Sequence, residues 1–572
     1  MSQGGCFGQL FYLGNMFGQH RPQPSFVPYS RDSRDGRDAQ FQSASHLAQL
    51  EHIGQQRTKE IRPGTELRIT VGAEDDLYLR AHSRIPDTFA TAEIFGVELV
   101  MGHEYKIQRG TSIAIFSWHG CTIEMRGPTI MEYDASNHVM RDYVNLAGIL
   151  EQKRQRAEEL GLAPPRVLIT GSENSGKSTL ALFLSNYALR KHRRPIYVEL
   201  NPGSLSFHRQ LPSIPGCISA LHADHSAFEL NQEPVHPQRI NLHKGIDQGA
   251  PAPHLNLNYP VGKSTWFFYG YESWRTAPAV FWKCMAQLSC LVAAKEEVTE
   301  VQVSMEKALN SAVQAEGVKL ENLAKGGVFV NAPSDPSPEL LDEIMRLFNI
   351  NSVVVVEDDG KFSRFVDKYC GGRLAGSLMG GSEGQDLLNS GGVRPNALVY
   401  LDAIEGEEAT EDTTIDVCHV AKAGGVINIR ENRDQQLHVK LADYFHGPER
   451  DLICHNFVLP LRELFISKIE LRTADVAPSV NTGGPKWASK YMVTPFSDLP
   501  GKLRHSVLAV VLAPSSEEMV FSSITGLVWV REVTDPEDPI NAQIHFMCPS
   551  SGALVSNYLL HGDLEHLKYF EQ

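Results

Sequence analysis

One stretch limits the fold of this chain more than any other: residues 166–170 running into residues 171–179. The first five residues, Arg-Val-Leu-Ile-Thr, are typical of a short buried strand, and residues 180–190 have the composition of a helix. The loop between them has the spacing G-x-x-x-x-G-K-[ST]. A strand, a glycine-bounded loop and a helix in this order predict a P-loop rather than a plain glycine-rich turn.

The residue types in this loop each have a chemical reason. Gly171 and Gly176 allow the backbone to curl, so that several N–H groups point at phosphate oxygens. Lys177 can neutralise the β- and γ-phosphates, and the Ser178 hydroxyl can ligate Mg²⁺. We therefore predict a nucleotide site made by Gly171, Ser172, Glu173, Asn174, Ser175, Gly176, Lys177, Ser178 and Thr179.

Composition narrows the class of protein. A chain of 572 residues, 42% hydrophobic and 21% charged, should form several ordinary globular domains. The net charge of −15 argues against a surface that coats nucleic acid non-specifically. Nine cysteines without a C-x-x-C pair favour reduced, intracellular thiols over disulfides or zinc. No apolar run approaches the ~18 residues that a membrane span requires, so we predict no membrane partner.

Hydrophobic periodicity changes along the chain and predicts an α/β protein with a central P-loop domain between two β domains. Short alternating runs predict strands at both ends, and strands alternating with helices in the middle predict a parallel sheet. The predicted regions are a disordered tail (1–55), an N-terminal β domain (56–130), the P-loop domain (131–454, with insertions near 205–264 and 371–415) and a mainly β C-terminal domain (455–572).

Several element predictions are more specific. Residues 92–99 are predicted to form one strand, residues 205–264 an irregular stretch, and residues 277–294 and 297–323 two helices. Trp118 and His119 are predicted to fill the core of the N-terminal β domain. The basic run at 190–194 is predicted to suit a helix C-terminus rather than to bind RNA.

Several distinctive short sequence motifs accompany the P-loop: AEIFGVEL (92–99), SWHGCTIE (117–124), RPIYVEL (194–200), IPGCIS (214–219), DYFHG (443–447), GLVWV (526–530) and CPSSG (548–552). In this order they resemble the Clp-one family of pre-mRNA 3′-end cleavage factors, which sits within the polynucleotide 5′-hydroxyl kinases. The resemblance covers about 58–572 apart from the insertions.

The resemblance implies a nuclear protein that holds ATP between its first β domain and the P-loop. It implies a large scaffold subunit of the cleavage factor, and other 3′-end processing subunits, as partners. In the family's working kinases the γ-phosphate passes to an RNA 5′-hydroxyl, with RNA in a cleft beside the P-loop. Glu60 matches a position that contacts the adenine in relatives.

The chain departs from the active family pattern where the chemistry would occur. Active members end the second strand in Asp-x-Gly-Gln, whereas this chain has Asn-Pro-Gly-Ser beginning at Asn201. An amide cannot take the proton of an attacking hydroxyl. The substrate clasp Thr-x-Gly-Trp is missing at 330–334, where Asn331 also replaces an acid common in inactive relatives. The lid arginines match only Arg430 and Arg433, at a shortened spacing.

These departures leave no residue with a predicted catalytic role. They favour an ATP-binding, kinase-inactive scaffold subunit, a pseudo-kinase, over its alternative, an active RNA 5′-hydroxyl kinase. A generic P-loop hydrolase is disfavoured because the sequence motifs of the flanking β domains match the Clp-one family so specifically.

Overall fold

The structure is a computed structural model that describes residues 56–72, 75–84, 89–107, 109–135, 139–204, 214–222, 264–313, 324–369, 415–422, 437, 441–442, 444–446, 454–470, 492–549, 554–562 and 564. The predicted tail at 1–55, almost all of the predicted insertion at 371–415, and both Arg430 and Arg433 lie outside these residues. Gly54–Gln572 forms one compact unit.

The N-terminal domain consists of antiparallel strands in two sheets. Its strands are β1 (Arg57–Ile61), β2 (Thr65–Thr70), β3 (Leu77–His82), β4 (Glu93–Ile94), β5 (Val97–Glu98), β6 (Glu104–Ile107), β7 (Ser112–Ser117), β8 (Cys121–Arg126) and β9 (Met131–Ala135). The sheet orders are β1-β8-β3-β6 and β5-β4-β7-β2-β9. Alternate residues such as Leu67, Leu79 and Ile123 face a shared core, which confirms the predicted β domain.

The single strand predicted over residues 92–99 is wrong, because β4 and β5 form a tight hairpin there. Phe95 and Gly96 join them with φ of 48° and 86°, the left-handed pair that a two-residue hairpin turn needs. A Cβ on Gly96 would lie 2.8 Å from the ring of Tyr187. Glycine therefore lets this hairpin pack closely on the helix that follows the P-loop.

The central domain alternates strands and helices. Its elements are α1 (Met140–Leu160), β10 (Arg166–Gly171), α2 (Lys177–Arg190), β11 (Arg193–Glu199), β12 (Cys217–His222), β13 (Ser264–Phe268), α3 (Pro278–Val313), β14 (Ala324–Asn331), α4 (Pro338–Leu347), β15 (Ser352–Val356), α5 (Asp359–Tyr369) and β16 (Asp416–Val420). None of the described helices is both long and apolar enough to cross a membrane.

The sheet of this domain runs β13-β12-β11-β14-β10-β15-β16. The strands from β11 to β16 in this order are parallel, and β12 and β13 extend the edge as antiparallel strands. Helices α1 and α2 cover one face, and α3, α4 and α5 contribute to the core on the other. The P-loop strand β10 is thereby central, with the carboxyl ends of β14 and β15 on either side of its own.

Two predictions in this domain are wrong. Residues 205–264 are not irregular throughout, because β12 lies within them and its Cys217–Ala220 portion is buried between β11 and β13. The two helices predicted at 277–294 and 297–323 are one helix, α3. Neither glycine nor proline interrupts α3 after Pro278, and its Lys295, Glu296 and Glu297 are good helix formers.

The C-terminal domain is one mixed sheet. Its strands are β17 (His455–Pro460), β18 (Phe465–Glu470), β19 (Met492–Pro495), β20 (Val507–Val511), β21 (Ile524–Thr534), β22 (Gln543–Cys548) and β23 (Tyr558–His561). They run in the order β17-β22-β21-β20-β23-β18-β19, with β18 and β23 parallel. One face has its own apolar core, and the other joins the core of the central domain. The predicted fold class is confirmed.

Candidate nucleotide site

The nine predicted loop residues, 171–179, lie at the carboxyl end of β10 and in the first turn of α2. Asn174 and Gly176 take left-handed φ values of 56° and 92°, which turn the chain sharply before the helix begins at Lys177. A Cβ on Gly171 would lie 2.3 Å from the carbonyl oxygen of Val356. Only glycine therefore allows the loop to start this close to β15.

Two polar residues lie beside the loop, each at the end of a neighbouring strand. Asn331 is the last residue of β14 and pairs in register with Ile169 of β10. Glu199 is the last residue of β11 and pairs in register with Asn331. Parallel strands bring their carboxyl ends to one edge of the sheet, so the loop, the amide and the carboxylate meet there.

Lys177 is held inside the loop. Its side chain is buried, and Nζ donates a hydrogen bond of 2.7 Å to the carbonyl oxygen of Ser172. Burial, and to a lesser extent the nearby positive charge of Lys361, lower the pKa of Lys177 to about 8, although the carboxylates of Glu199, Glu173 and Asp358 oppose the shift. A buried ammonium of this kind is stabilised by a bound anion, as phosphate would provide.

Ser178, Asn331 and Glu199 form a hydrogen-bonded chain. Asn331 Nδ2 donates to Ser178 Oγ at 3.1 Å and to both carboxylate oxygens of Glu199 at 3.0 Å. The side-chain oxygen of Asn331, Oδ1, is buried and finds no hydrogen-bond partner among the described residues. Within that part of the chain the same is true of Ser175 Oγ in the loop.

Glu199 is a site residue that the sequence reasoning missed. It is completely buried, and burial raises its pKa to about 7 even though donated hydrogen bonds oppose the shift. The nearest donors are the Tyr197 hydroxyl at 2.7 Å and the Asn201 backbone N–H at 3.0 Å. One signal could have found it: a single carboxylate inside the apolar run Ile-Tyr-Val-Glu-Leu at 196–200.

Asn201, which stands where active kinases of the family have an acid, has its amide engaged elsewhere. Its Nδ2 donates to Ser334 Oγ at 3.1 Å. The next residue, Asp335, forms an ion pair of 2.8 Å with Arg275. This side of the site is polar, but position 201 offers no carboxylate to an acceptor.

The residues present fit a nucleoside triphosphate with Mg²⁺. No atom of the described residues lies within 4 Å of where a Cβ on Gly176 would be, so a phosphate can approach the backbone closely. Ser175 Oγ and Asn331 Oδ1 are buried polar atoms in need of partners. The described residues contain no His, Cys, Asp and Glu cluster able to hold a metal. Ser178 and the phosphates themselves would therefore hold the ion, as Mg²⁺ commonly requires.

Glu60, predicted to contact the adenine, lies on β1 of the N-terminal domain. Its carboxylate is exposed and forms an ion pair of 2.8 Å with Arg84. The prediction that Trp118 and His119 fill the core is wrong, because both are exposed at the turn between β7 and β8. Gly120 completes that turn at φ 83°. Trp118 packs edge-on against Phe116, and His119 packs edge-on against Phe89.

Helix α2 connects the loop to the N-terminal domain. At its C-terminal end, Arg190 pairs with Glu93 at 2.9 Å and with Glu98 at 3.0 Å. Asn186 Nδ2 donates to the carbonyl oxygen of Phe95 at 2.8 Å. Arg193 is buried and pairs with acids of α1. The arginines at 190 and 193 thus join elements of the fold.

Comparison with known proteins agrees with this architecture. A family model for the N-terminal beta-sandwich domain of polyadenylation factor, CLP1_N, matches residues 60–157. A second, for the mRNA cleavage and polyadenylation factor CLP1 P-loop, matches residues 171–305. The protein CLP1 homolog of Arabidopsis thaliana is 25% identical over 514 residues, which cover 88% of this chain and 93% of that protein.

The predicted resemblance to the CLP1 family is thereby confirmed. The CLP1 homolog of Nematostella vectensis is 24% identical over 89% of this chain and 96% of its own length. The human polyribonucleotide 5′-hydroxyl-kinase Clp1 is 38% identical over 168 residues, 29% of this chain and 37% of that protein. The Clp1p chain of a solved Clp1p–Pcf11p complex superposes with a TM-score of 0.60 at 18% identity, covering 89% of this chain and 98% of that one. This likeness shows that the CLP1 fold is shared.

Proposed function

We propose that this CLP1-family chain is an ATP-binding, kinase-inactive scaffold subunit of the mRNA 3′-end cleavage and polyadenylation factor. The observation that carries the proposal is the contrast within one site. The phosphate loop with Lys177 and Ser178 is intact, whereas Asn201 and Asn331 are amides at the two positions where acids are expected.

This contrast separates binding from turnover. The loop amides, Lys177 and Ser178 would contact a bound triphosphate in its ground state, before any phosphate is transferred. Transfer additionally requires a group that accepts a proton from the attacking hydroxyl. Asn201 has no such group, and its amide is bonded to Ser334. Glu199 is completely buried and already accepts hydrogen bonds from Asn331 Nδ2.

Bound ATP would then act as a structural ligand. A ligand that binds only the folded state stabilises it by about 4 kcal/mol when present at a thousand times its dissociation constant. The loop begins α2, whose other end is bonded to the N-terminal domain through Arg190. We further propose that Glu60 supplies the adenine contact from that domain, so that ATP helps to hold the two domains together.

The partner we propose is a large scaffold subunit of the cleavage factor, with other 3′-end processing subunits around it in the nucleus. Support comes from the relative that was solved as a Clp1p–Pcf11p complex. A second solved structure concerns the extended interface between Pcf11p and Clp1p and the structural basis for ATP loss in a point mutant. The second structure thus treats ATP and the partner interface together in a protein of the same fold.

The alternative is an active RNA 5′-hydroxyl kinase. Two observations favour it: relatives named polyribonucleotide 5′-hydroxyl-kinase are 38% identical over 168 residues, and the site does contain one carboxylate, Glu199. In this alternative RNA is a substrate. The missing acid at position 201 weighs against it.

Identification of the nucleotide that co-purifies with the protein tests the ATP assignment. Acid release followed by chromatography should give ATP close to one per chain for the wild type, and little for Lys177→Ala, which removes the charge facing the phosphates. Full nucleotide content in Lys177→Ala would show that this loop is not the site. Recovery of ADP instead of ATP would favour a protein that turns over.

A further inference from the structure

A buried carboxylate lies behind the phosphate loop. The side chain of Glu199 is completely buried at the end of β11. A carboxylate in such a place requires hydrogen-bond donors, because its desolvation is otherwise costly. The donors here are the Tyr197 hydroxyl, the Asn201 backbone N–H, the Ser204 hydroxyl and Asn331 Nδ2. Three belong to its own strand and the turn after it, and only Asn331 comes from another strand.

This carboxylate determines how Asn331 is oriented. An ionised carboxylate only accepts hydrogen bonds, so the amide must present its nitrogen, Nδ2, to Glu199. The same nitrogen also donates to Ser178 Oγ at 3.1 Å. The other end of the amide, Oδ1, is buried and has no partner in the part of the chain that the structure describes. An acceptor in need of a donor therefore lies on a side chain that contacts Ser178.

We propose that Glu199 is a positioning residue for the Mg²⁺ that accompanies ATP, acting through Asn331. The inference rests on the proposed ATP binding. In P-loop proteins the ion is held by the loop Ser or Thr together with an acid at the end of a neighbouring strand. Here the end of that strand is Asn331, whose neutral side-chain oxygen would face the ion, and Glu199 would provide the negative charge from the next strand.

The electrostatics of the site agree with this division. Glu199 favours the charged form of Lys177, which burial otherwise disfavours. The negative charge of Glu199 would therefore stabilise both the ammonium of Lys177 and the Mg²⁺ ion. Residues that hold a metal-binding group in place typically change metal affinity about 10- to 100-fold when they are replaced.

The test is the Mg²⁺ dependence of ATP binding by the purified full-length chain, measured by calorimetry with ATP at a series of Mg²⁺ concentrations. Glu199→Gln keeps the volume of the side chain and removes its charge. We expect its half-saturating Mg²⁺ concentration to rise about 10-fold. Its affinity for ATP without Mg²⁺ should be no weaker than that of the wild type, because a negative charge near the phosphates has been removed.

A charge exchange provides the rescue. In the double variant Glu199→Gln with Asn331→Asp, the carboxylate moves to the end of β14, and the amide introduced on β11 can donate a hydrogen bond to it. We expect wild-type Mg²⁺ dependence, or stronger, to return. Asn331→Asp alone sets two buried carboxylates together and should lower the melting temperature. Glu93→Gln is the matched control, because Glu93 is another buried carboxylate, and the helix residues that bond to it in the described part of the chain are Tyr187 and Arg190, at the far end of α2.

The outcomes separate this inference from the proposed function. If a folded Glu199→Gln variant keeps the wild-type Mg²⁺ dependence, the inference is overturned and the proposed function is not. The same holds if Glu199→Gln weakens the response to Mg²⁺ and the double variant does not restore it. Where Glu199→Gln does not fold, Glu199→Asp withdraws the charge from Asn331 by one methylene, and unchanged Mg²⁺ dependence there also overturns it. A wild-type chain that binds no ATP overturns the proposed function and the inference with it.

Discussion

Replacement of Lys177 by methionine should stabilise the nucleotide-free protein while it weakens ATP binding. Lys177 is almost fully buried, and its pKa is lowered from 10.5 to about 8. Each pKa unit corresponds to about 1.4 kcal/mol, so below pH 8 the buried charge costs the fold roughly 3 kcal/mol. The hydrogen bond to Ser172 returns about 1 kcal/mol of this. Methionine fills similar space without charge and should therefore stabilise the fold by roughly 2 kcal/mol.

The assay is thermal unfolding of the two proteins without nucleotide. For a chain of this size the expected increase in melting temperature is on the order of 2 °C. The folded-state pKa of Lys177 lies below its unfolded value, so the wild-type penalty is complete below pH 8 and disappears as the pH rises toward 10.5. The advantage of Lys177→Met should shrink over the same interval.

An exposed lysine at the other end of the same helix, Lys191, provides the control. Lys191→Met should change neither the melting temperature nor ATP affinity appreciably. The reasoning would be refuted if nucleotide-free Lys177→Met melted below the wild type, or if its advantage were independent of pH between 8 and 10.5.

Three further substitutions have defined outcomes. Gly96→Ala should destabilise by about 1–3 kcal/mol in urea unfolding, because its Cβ would meet Tyr187, whereas Gly102→Ala, also left-handed but with open space, should cost less. Gly562→Ala should also destabilise the protein by about 1–3 kcal/mol, because its Cβ would lie 2.4 Å from Gly270 Cα and would push the C-terminal domain away from the P-loop domain. Gly148→Ala on α1 is the control and should not have this effect. Asn201→Asp should increase the Mg²⁺ dependence of ATP binding in calorimetry without creating transfer to RNA.

Much of the fold can be predicted because its local patterns agree with its long-range structure. The P-loop strand, α2, β11 and β15 are apolar runs bounded by polar or glycine residues, and each prediction overlaps the observed element. The β4–β5 hairpin could not be predicted in this way, since residues 92–99 are as apolar as a strand. Its turn depends on close packing between Gly96 and Tyr187, which is a contact between distant parts of the chain.

The candidate site was predictable only as far as its motif extends. The loop from Gly171 to Thr179 follows from a fixed spacing, but nothing in the stretch RPIYVEL (194–200) assigns a role to Glu199 within it. Its importance depends on β11 and β14 being neighbours, which sets Glu199 in register with Asn331. Periodicity within one strand cannot reveal which residue lies across the sheet from it.

Transfer of the labelled γ-phosphate of ATP to a 5′-hydroxyl oligoribonucleotide tests the central claim most directly. The wild-type chain, shown to hold ATP in the same preparation, should give no labelled RNA above the level of Lys177→Ala. Labelled RNA that is formed by the wild type and abolished by Lys177→Ala would contradict this account and establish the chain as an RNA kinase.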